Sequence, residues 1–321
     1  MPRVFLRDLS AGYDNAIGEA MEFLSAAAAV RPGTRVSIKP NLTFPVYRQG
    51  VMTSIEAVEA VLRHLTERGC SVTICESDSG GYNRFSMDEV FRATGLVELA
   101  GRYGARLVNL SKASAREIPV RAGLRRLRVP LPRLLVEETD LFITMPVPKV
   151  HANTVLSGAI KNQWGVIQDP GERLKLHPFF SQVIFAVHQA LPRTIVVMDG
   201  RYGLNGNGPM RGQPTELNWL LASDSVLHAD LVMARLLGVG WRRVAHLRFF
   251  ARRQKAGGGD QIEFNTDCGK FASAPFRLER QWTDLPGWCT FHSRLLAWLG
   301  YESWLAAPLH RLLYCFREPF Y

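Results

Sequence analysis

The segment DLFITMPVPKVH, residues 140–151, decides the fold because a short apolar run passes directly into reactive side chains. Residues 140–145 have the length and the apolar content of a buried strand. Two lysines, two histidines and an asparagine then follow within 29 positions, and they are Lys149, His151, Lys161, Asn162 and His177. Open α/β folds bind ligands at the carboxyl ends of their strands, so this segment predicts a site at such an edge.

Strands and helices alternate on both sides of this segment. Short β-runs occupy residues 35–38, 71–74, 106–110 and 194–198, and helical apolar spacing occupies residues 54–68, 96–102, 183–191 and 225–237. Residues 117–131 alternate apolar and basic side chains around Gly123, which indicates a β-hairpin. The predicted fold class is therefore α/β: a mostly parallel sheet flanked by helices, with a β-hairpin excursion and an irregular or helical C-terminal region.

Polar loops follow four of the predicted strands. They are Lys39-Pro40-Asn41, residues 76–81, residues 146–177, and residues 199–209, which include Asp199, Asn207 and Gly208. The carboxyl ends of parallel strands share one edge of the sheet, so the sequence predicts that these loops converge.

The formal net charge is +10, from 39 Lys and Arg against 29 Asp and Glu. This excess favours anionic partners, which include carboxylated or phosphorylated metabolites, nucleic acid and an anionic membrane surface. An arginine-rich surface without a specific partner explains the charge equally well. No nucleic-acid motif accompanies the basic residues, so nucleic acid is not favoured.

The cysteines and the apolar segments exclude several classes of protein. None of the five cysteines has the C-x-x-C spacing of zinc or cluster ligands, so neither an iron–sulfur cluster nor a disulfide framework is expected. No segment approaches the roughly 20 apolar residues of a transmembrane helix. The N-terminal residues lack the apolar core of a signal peptide. We therefore expect a cytoplasmic protein without a transmembrane segment.

The character of the sequence changes after residue 240. We expect an α/β domain over residues 1–240 and a basic, aromatic-rich C-terminal extension over residues 241–321. GGGD at 257–260 predicts a flexible turn. Residues 281–321 have leucine spacing typical of amphipathic helices, which favours packing on the domain or on a second copy of the chain, as a homo-oligomer, over membrane attachment.

The same residues resemble the bacterial and archaeal family catalogued as domain of unknown function 362. The matching blocks are IKPNL at 38–42, PVPKVH at 146–151, SGAIKNQWG at 157–165, Asp199 with GNGP at 206–209, and the later ASD at 222–224 and HAD at 228–230. The resemblance covers residues 35–240. Lys149-Val150-His151 stands where the family pattern has Lys-Thr-His. Many relatives carry a ferredoxin-like module with two four-iron clusters, and this chain lacks its closely spaced cysteines.

The residue types at the predicted edge fit an anion site with proton chemistry. Lys39, Lys149 and Lys161 can bind a carboxylate or phosphate, and the alternative is that one or more pairs with a nearby acidic residue. The amide and backbone groups of Asn41, Asn162, Asn207 and Gly208 are further ligand-binding candidates. Lys149, His151 and His177 are the catalytic candidates, because imidazole titrates near neutral pH and a desolvated lysine can be a nucleophile.

His151 and His177 can instead ligate a divalent metal together with Asp199 or Asp224, a donor set that suits zinc, iron or nickel. Three functions remain open on the sequence. The first is an enzyme acting on a small anionic metabolite by acid/base or redox chemistry, with a metal as an optional participant. The second is a non-catalytic carrier of a cofactor or metal, and the third is a polyanion-binding protein.

Overall fold

The computed structural model describes residues 1–25, 30–79, 85–256 and 261–316. The strands are β1 (Arg3–Asp8), β2 (Arg35–Lys39), β3 (Ser71–Glu76), β4 (Arg106–Asn109), β5 (Ala115–Ala122), β6 (Arg125–Pro132), β7 (Leu141–Thr144), β8 (Lys149–His151), β9 (Val155–Ser157), β10 (Arg193–Asn205), β11 (Gln213–Ser223) and β12 (Glu263–Phe264). The helices are α1 (Asp14–Phe23), α2 (Ile55–Thr66), α3 (Met87–Ala93), α4 (Leu96–Arg102), α5 (Arg133–Glu137), α6 (Ala159–Asn162), α7 (Pro170–Leu176), α8 (Phe180–Ala190), α9 (Val226–Leu236), α10 (Ala245–Gln254), α11 (Leu285–His292), α12 (Arg294–Tyr301) and α13 (Ala306–Tyr314). The predicted turn at 257–260 and the glycines at 80–81 lie outside the described residues.

The main sheet has the strand order β12-β1-β11-β10-β7-β2-β3-β4. The five strands from β10 to β4 are parallel to one another. β11 is antiparallel to both of its neighbours, β1 and β10. β5 and β6 form a separate antiparallel pair. The predicted α/β class, with a largely parallel sheet flanked by helices and a β-hairpin excursion, is confirmed.

The sheet is covered on both faces, as the side-chain alternation of its strands requires. In β7, Phe142 belongs to the core on one face, whereas Leu141 and Ile143 belong to the core on the other. α2 begins as predicted at Ser54, whose side chain accepts a hydrogen bond from the Ala57 backbone N–H. Apolar side chains cover both faces of the sheet, so the polar groups that follow the strands lie at the edge of the sheet, where the strands end.

The predicted loop at residues 199–209 is wrong in its first half. β10 does not end at 198 but continues to Asn205, because β11 supplies an antiparallel partner along its length. Trp219 in β11 is fully buried and lies over Gly200, where a Cβ atom would be 2.1 Å from the indole ring. The glycine therefore marks a close side-chain approach within a strand and not a turn.

Residues beyond 240 add helices and one strand to this framework. β12 pairs with β1 in parallel, and Phe276 is buried in the core. Residues 282–316 also expose large apolar side chains, namely those of Trp282, Leu285, Trp288, Leu295, Leu296, Trp298, Trp304, Leu309, Leu312 and Phe316. None of the helices in the described ranges has the length and apolar content needed to cross a membrane. The division of the chain at residue 240 stays a prediction.

Candidate functional site

A cavity of about 290 Å³ lies at the carboxyl ends of the parallel strands. Its floor includes Lys39 at the end of β2 and Glu76 at the end of β3. Seven residues predicted from the sequence line it, and they are Lys39, Asn41, Lys149, His151, Lys161, Asn162 and His177. The structure therefore brings together side chains from positions as far apart as 39 and 177.

Lys39 forms a buried ion pair that uses up its charge. Its Nζ donates to Glu76 Oε2 at 2.7 Å, to Asn162 Oδ1 at 3.3 Å and to the carbonyl of Pro40 at 3.3 Å. An ammonium group has three donors, and all three are engaged here. The structure thus shows the pairing alternative for this lysine, and its contact with a ligand stays a prediction.

Asn162 supports the same ion pair from α6. Its Nδ2 donates to Thr144 Oγ1 at 2.9 Å, which ties α6 to the end of β7. Gly165 follows on the same segment, and a Cβ atom there would lie 2.9 Å from Lys39 Nζ. A larger residue here would have to displace the Lys39 and Glu76 side chains from their ion pair. Asn162 lines the cavity, but its amide is committed to holding Lys39 and β7 in place.

Lys149 is buried without a carboxylate partner among the described residues. Its Nζ donates to the carbonyl of Val51 at 2.7 Å, and the residue is only 4% exposed. Asn41 donates through its side chain to the same carbonyl, so it fixes the acceptor of Lys149. Burial, together with the charges of Lys161 and Lys39, lowers the pKa of Lys149 to about 7.

Lys161 projects from α6, whose first turn is held by a buried carboxylate. Asp230 accepts from the backbone N–H groups of Ala159 at 2.6 Å and Ile160 at 3.0 Å. Burial raises the pKa of Asp230 to about 7. Lys161 has no ion pair with a described carboxylate, and its Nζ lies 5.7 Å from the centre of the Phe180 ring. Burial, Arg173 and Lys39 lower the pKa of Lys161 to about 8.

Arg173 is the fourth cation in the cavity, and it was not among the residues predicted from the sequence. It lies on α7, is 9% exposed, and donates through Nη2 to the carbonyl of Asp78. Its Nε is buried without a hydrogen-bond partner in the described structure, and burial lowers its pKa to about 10. Arg173 precedes His177 by four residues, which places both on one helical face. This four-residue separation from His177 is the feature of the sequence that could have identified Arg173 as a site residue.

His151 is held as a neutral imidazole with a defined tautomer. The backbone N–H of Asn153 donates to Nδ1 at 3.1 Å, so in the neutral ring the proton is on Nε2. Burial and the charges of Lys161 and Lys149 place the pKa of His151 well below its ordinary value. The ring can therefore offer an N–H donor without carrying a positive charge.

His177 stacks on Trp164, with ring centres 5.6 Å apart and planes 14° apart. Phe291 from α11 packs against the other side of the imidazole, at 4.8 Å between centres. Nδ1 of His177 and Nε1 of Trp164 are buried, and neither has a hydrogen-bond partner among the described residues. Burial, Lys161 and Arg173 lower the pKa of His177 to about 3. Unpartnered polar atoms of this kind need an external partner.

Asp199 lies apart from the cavity, in a hydrogen-bond network of its own. Its carboxylate accepts from Tyr13 Oη at 2.7 Å, from both the backbone N–H and the hydroxyl of Ser54 at 2.8 Å, and from the Arg201 N–H at 3.2 Å. Asp199 therefore joins β10 to the start of α2. Its oxygens are fully used by protein donors.

The predicted metal set of His151, His177 and Asp199 is accordingly wrong, because Asp199 does not reach the two histidines. Across residues 1–25, 30–79, 85–256 and 261–316, no three His, Cys, Asp or Glu side chains are arranged to hold a metal ion. Four of the five charged side chains that line the cavity are cations, and ammonium and guanidinium groups do not ligate metals. The residues present do not fit a divalent metal.

Asn207 and Gly208 also depart from the predicted site. The Asn207 side chain points to the C-terminal part, donating to the carbonyl of Glu279 at 2.8 Å and to Asp284 Oδ2. A Cβ atom on Gly208 would lie 1.9 Å from the carbonyl oxygen of Val150, so this glycine allows close packing on β8. Neither residue lines the cavity, although the next two residues, Pro209 and Met210, do.

Comparison with known proteins places most of the chain in one family. A family model described as "Domain of unknown function (DUF362)" matches residues 36–235. A thylakoid-associated protein of Synechocystis sp. is 28% identical over 229 residues, which cover 65% of this chain and 64% of that protein. The match thus spans less than two thirds of the length of this relative.

Two solved structures are similar to this chain at low sequence identity. One is the lactate racemase apoprotein from Thermoanaerobacterium thermosaccharolyticum, with a TM-score of 0.44 and 15% identity over 72% of this chain and 56% of that one. The other is a Thermotoga maritima protein, with a TM-score of 0.39 and 14% identity over 68% of this chain and 58% of that one.

Proposed function

Because the chain belongs to the family described as domain of unknown function DUF362, we propose a function from its own site: it binds a small carboxylate or phosphate metabolite and moves protons to and from it. One observation carries the proposal. Lys149, Lys161 and Arg173 line a single cavity, and none of them forms an ion pair with a carboxylate in the described part of the chain. Burying unpaired charges is costly, and an anionic ligand would supply the missing counter-charge.

Lys161 and Arg173 are the groups that bind the anion. Arg173 has a buried Nε without a partner among the described residues, and the same is true of the indole N–H of Trp164, which also lines the cavity. A guanidinium and an ammonium next to neutral donors match the several acceptor oxygens of a carboxylate or phosphate. Lys39 contributes little to this charge because Glu76 neutralises it.

Lys149 is the group that transfers protons, and His151 is a neutral hydrogen-bond donor in the same cavity. A lysine with a pKa of about 7 is partly neutral at physiological pH, so its Nζ can accept a proton from a carbon next to the substrate carboxylate. The electron pair left on that carbon delocalises into the carboxylate, and Lys161 and Arg173 stabilise the added negative charge. The proton returns to carbon from the Lys149 ammonium, while the Nε2–H of the neutral His151 ring donates a hydrogen bond to the ligand. The neutral His177 ring offers a further hydrogen-bonding group at the wall.

Solvent deuterium exchange tests this proposal directly. The purified protein is incubated in deuterated buffer with a panel of small 2-substituted carboxylates and phosphorylated acids, and the carbon-bound protons are followed by NMR. We expect exchange next to the carboxylate of at least one compound. Replacing Lys149 by Met or His151 by Ala should abolish the exchange while the circular dichroism spectrum is unchanged.

Anion binding is measured separately, by calorimetry with phosphate and acetate at low salt. Arg173→Gln should weaken binding roughly ten-fold, the worth of a charge-assisted hydrogen bond, whereas exposed Arg252→Gln serves as the control. Binding without exchange on any compound would support a carrier in place of an enzyme. No binding of either anion would overturn the proposal.

A further inference from the structure

A second cavity, of about 270 Å³, adjoins the first. Asn153, His177 and Phe291 line both cavities, so these three side chains form a shared wall. The second cavity also uses the neighbouring residues Thr154, Val155 and Pro178. α8 supplies Phe180, Ser181 and Gln182, and the remaining lining residues come from positions 243–292.

Two guanidinium groups line this second cavity, and no Asp or Glu of the described residues does. Arg280 donates through Nε to the carbonyl of Ala152 at 2.8 Å, which anchors it beside the loop that follows His151. Arg243 makes no ion pair with a described carboxylate. Arginine presents a planar set of donors that matches carboxylate and phosphate oxygens. Together the two cavities present six lysine and arginine side chains and one acidic residue, Glu76, which is already paired with Lys39.

Between the cationic groups, the walls are aromatic. Phe180 and Phe291 have ring centres 5.5 Å apart, and Trp288 lines the same cavity. His246 contributes a buried ring that meets Phe180 edge to face at 5.5 Å. Apolar and aromatic surface of this kind accommodates the carbon skeleton of a ligand, while charged groups at the ends fix its orientation.

We propose that the second cavity binds the far end of the substrate, and that the substrate is therefore an elongated molecule with an anionic group at each end. Lys161 and Arg173 hold one end and Arg243 and Arg280 hold the other, with the carbon chain passing His177 and Phe291. This inference rests on the proposed function of the first cavity and adds the substrate class.

A series of straight-chain dicarboxylates of increasing length, compared with monocarboxylates of the same lengths, tests the proposal by calorimetry on the full chain. We expect an optimum length at which the dicarboxylate binds roughly ten-fold more tightly than its monocarboxylate. Arg243→Gln should remove this advantage and leave monocarboxylate binding unchanged. Arg280→Gln should act in the same direction, and Arg252→Gln, on the exposed side of α10, is the matched control.

The outcomes separate this inference from the function on which it rests. If monocarboxylates bind but no dicarboxylate gains affinity, the second cavity is not an anion subsite and only this inference falls. It also falls if the gain persists in both Arg243→Gln and Arg280→Gln. If neither class binds at low salt, the proposed function falls with it.

Discussion

Replacing Lys149 by Met should make the ligand-free protein more stable, although the residue is central to the site. The pKa of Lys149 is about 7 in the folded protein and 10.5 when the group is solvated. The unfolded chain therefore binds more protons between these values, and stability rises with pH through this window. Below about pH 7 the buried charge costs on the order of 5 kcal/mol, at roughly 1.4 kcal/mol for each pKa unit.

Methionine has a similar volume and carries no charge, so it removes this cost. It also removes the hydrogen bond to Val51, which is worth about 1 kcal/mol, while the Val51 carbonyl keeps the donor from Asn41. We expect Lys149→Met to raise the free energy of unfolding by about 2 to 4 kcal/mol near pH 6, and by much less near pH 10.

Urea denaturation at the two pH values measures this difference, with equal denaturant slopes as the condition for comparing the variants. Lys270→Met, at an exposed position, is the control and should change stability little at either pH. The reasoning is refuted if Lys149→Met lowers the free energy of unfolding by the same amount at both pH values, or if its gain does not shrink as the pH rises.

Three further results are expected. The kcat/KM of the exchange reaction should rise around pH 7, where Lys149 loses its proton, and fall above about pH 8, where Lys161 loses its charge. A pH profile that does not fall above pH 8 would contradict the anion-binding role of Lys161. Gly165→Ala should lower the free energy of unfolding by about 1 to 3 kcal/mol, because the added Cβ meets the Lys39–Glu76 pair. The thermal midpoint should fall accordingly. Gly101→Ala in α4, where the Cβ has open space, is the control and should be neutral or stabilising. We also propose that residues 282–316 pack against a second copy of the chain, so light scattering should give a dimer that Trp304→Ser dissociates; a wild-type monomer at high concentration would contradict this.

The sequence predicted the framework because each central strand is a local apolar run with its own flanking signals. β2, β3 and β7 fall within a residue or two of their predicted bounds, and parallel pairing then places their ends together. Seven side chains were predicted to meet for this reason. β11 was missed because its apolar and polar residues stop alternating after Asn218, where WLLA at 219–222 is a continuous apolar run.

The partners of these side chains could not be predicted, since they depend on contacts between distant segments. Lys39, Lys149 and Lys161 look alike in sequence, yet only Lys39 meets a carboxylate. The partners of Asp199 could not be predicted either, because its carboxylate accepts hydrogen bonds from Tyr13 and Ser54, which lie far away in the sequence. The Asn207 side chain does not line the cavity because it donates a hydrogen bond to Asp284, 77 residues later in the chain.

Phe291 sits where the two cavities meet, but it belongs to a part of the chain that the family model does not reach, since that match stops at residue 235. Arg243, Arg280 and Trp288 lie beyond the same boundary. Under the proposed function, the chemistry would then reside in the segment shared with other family members, and the choice of substrate would depend on residues beyond it. Transplanting residues 241–321 between such proteins should exchange their preferences for substrate and leave the bond-making step intact.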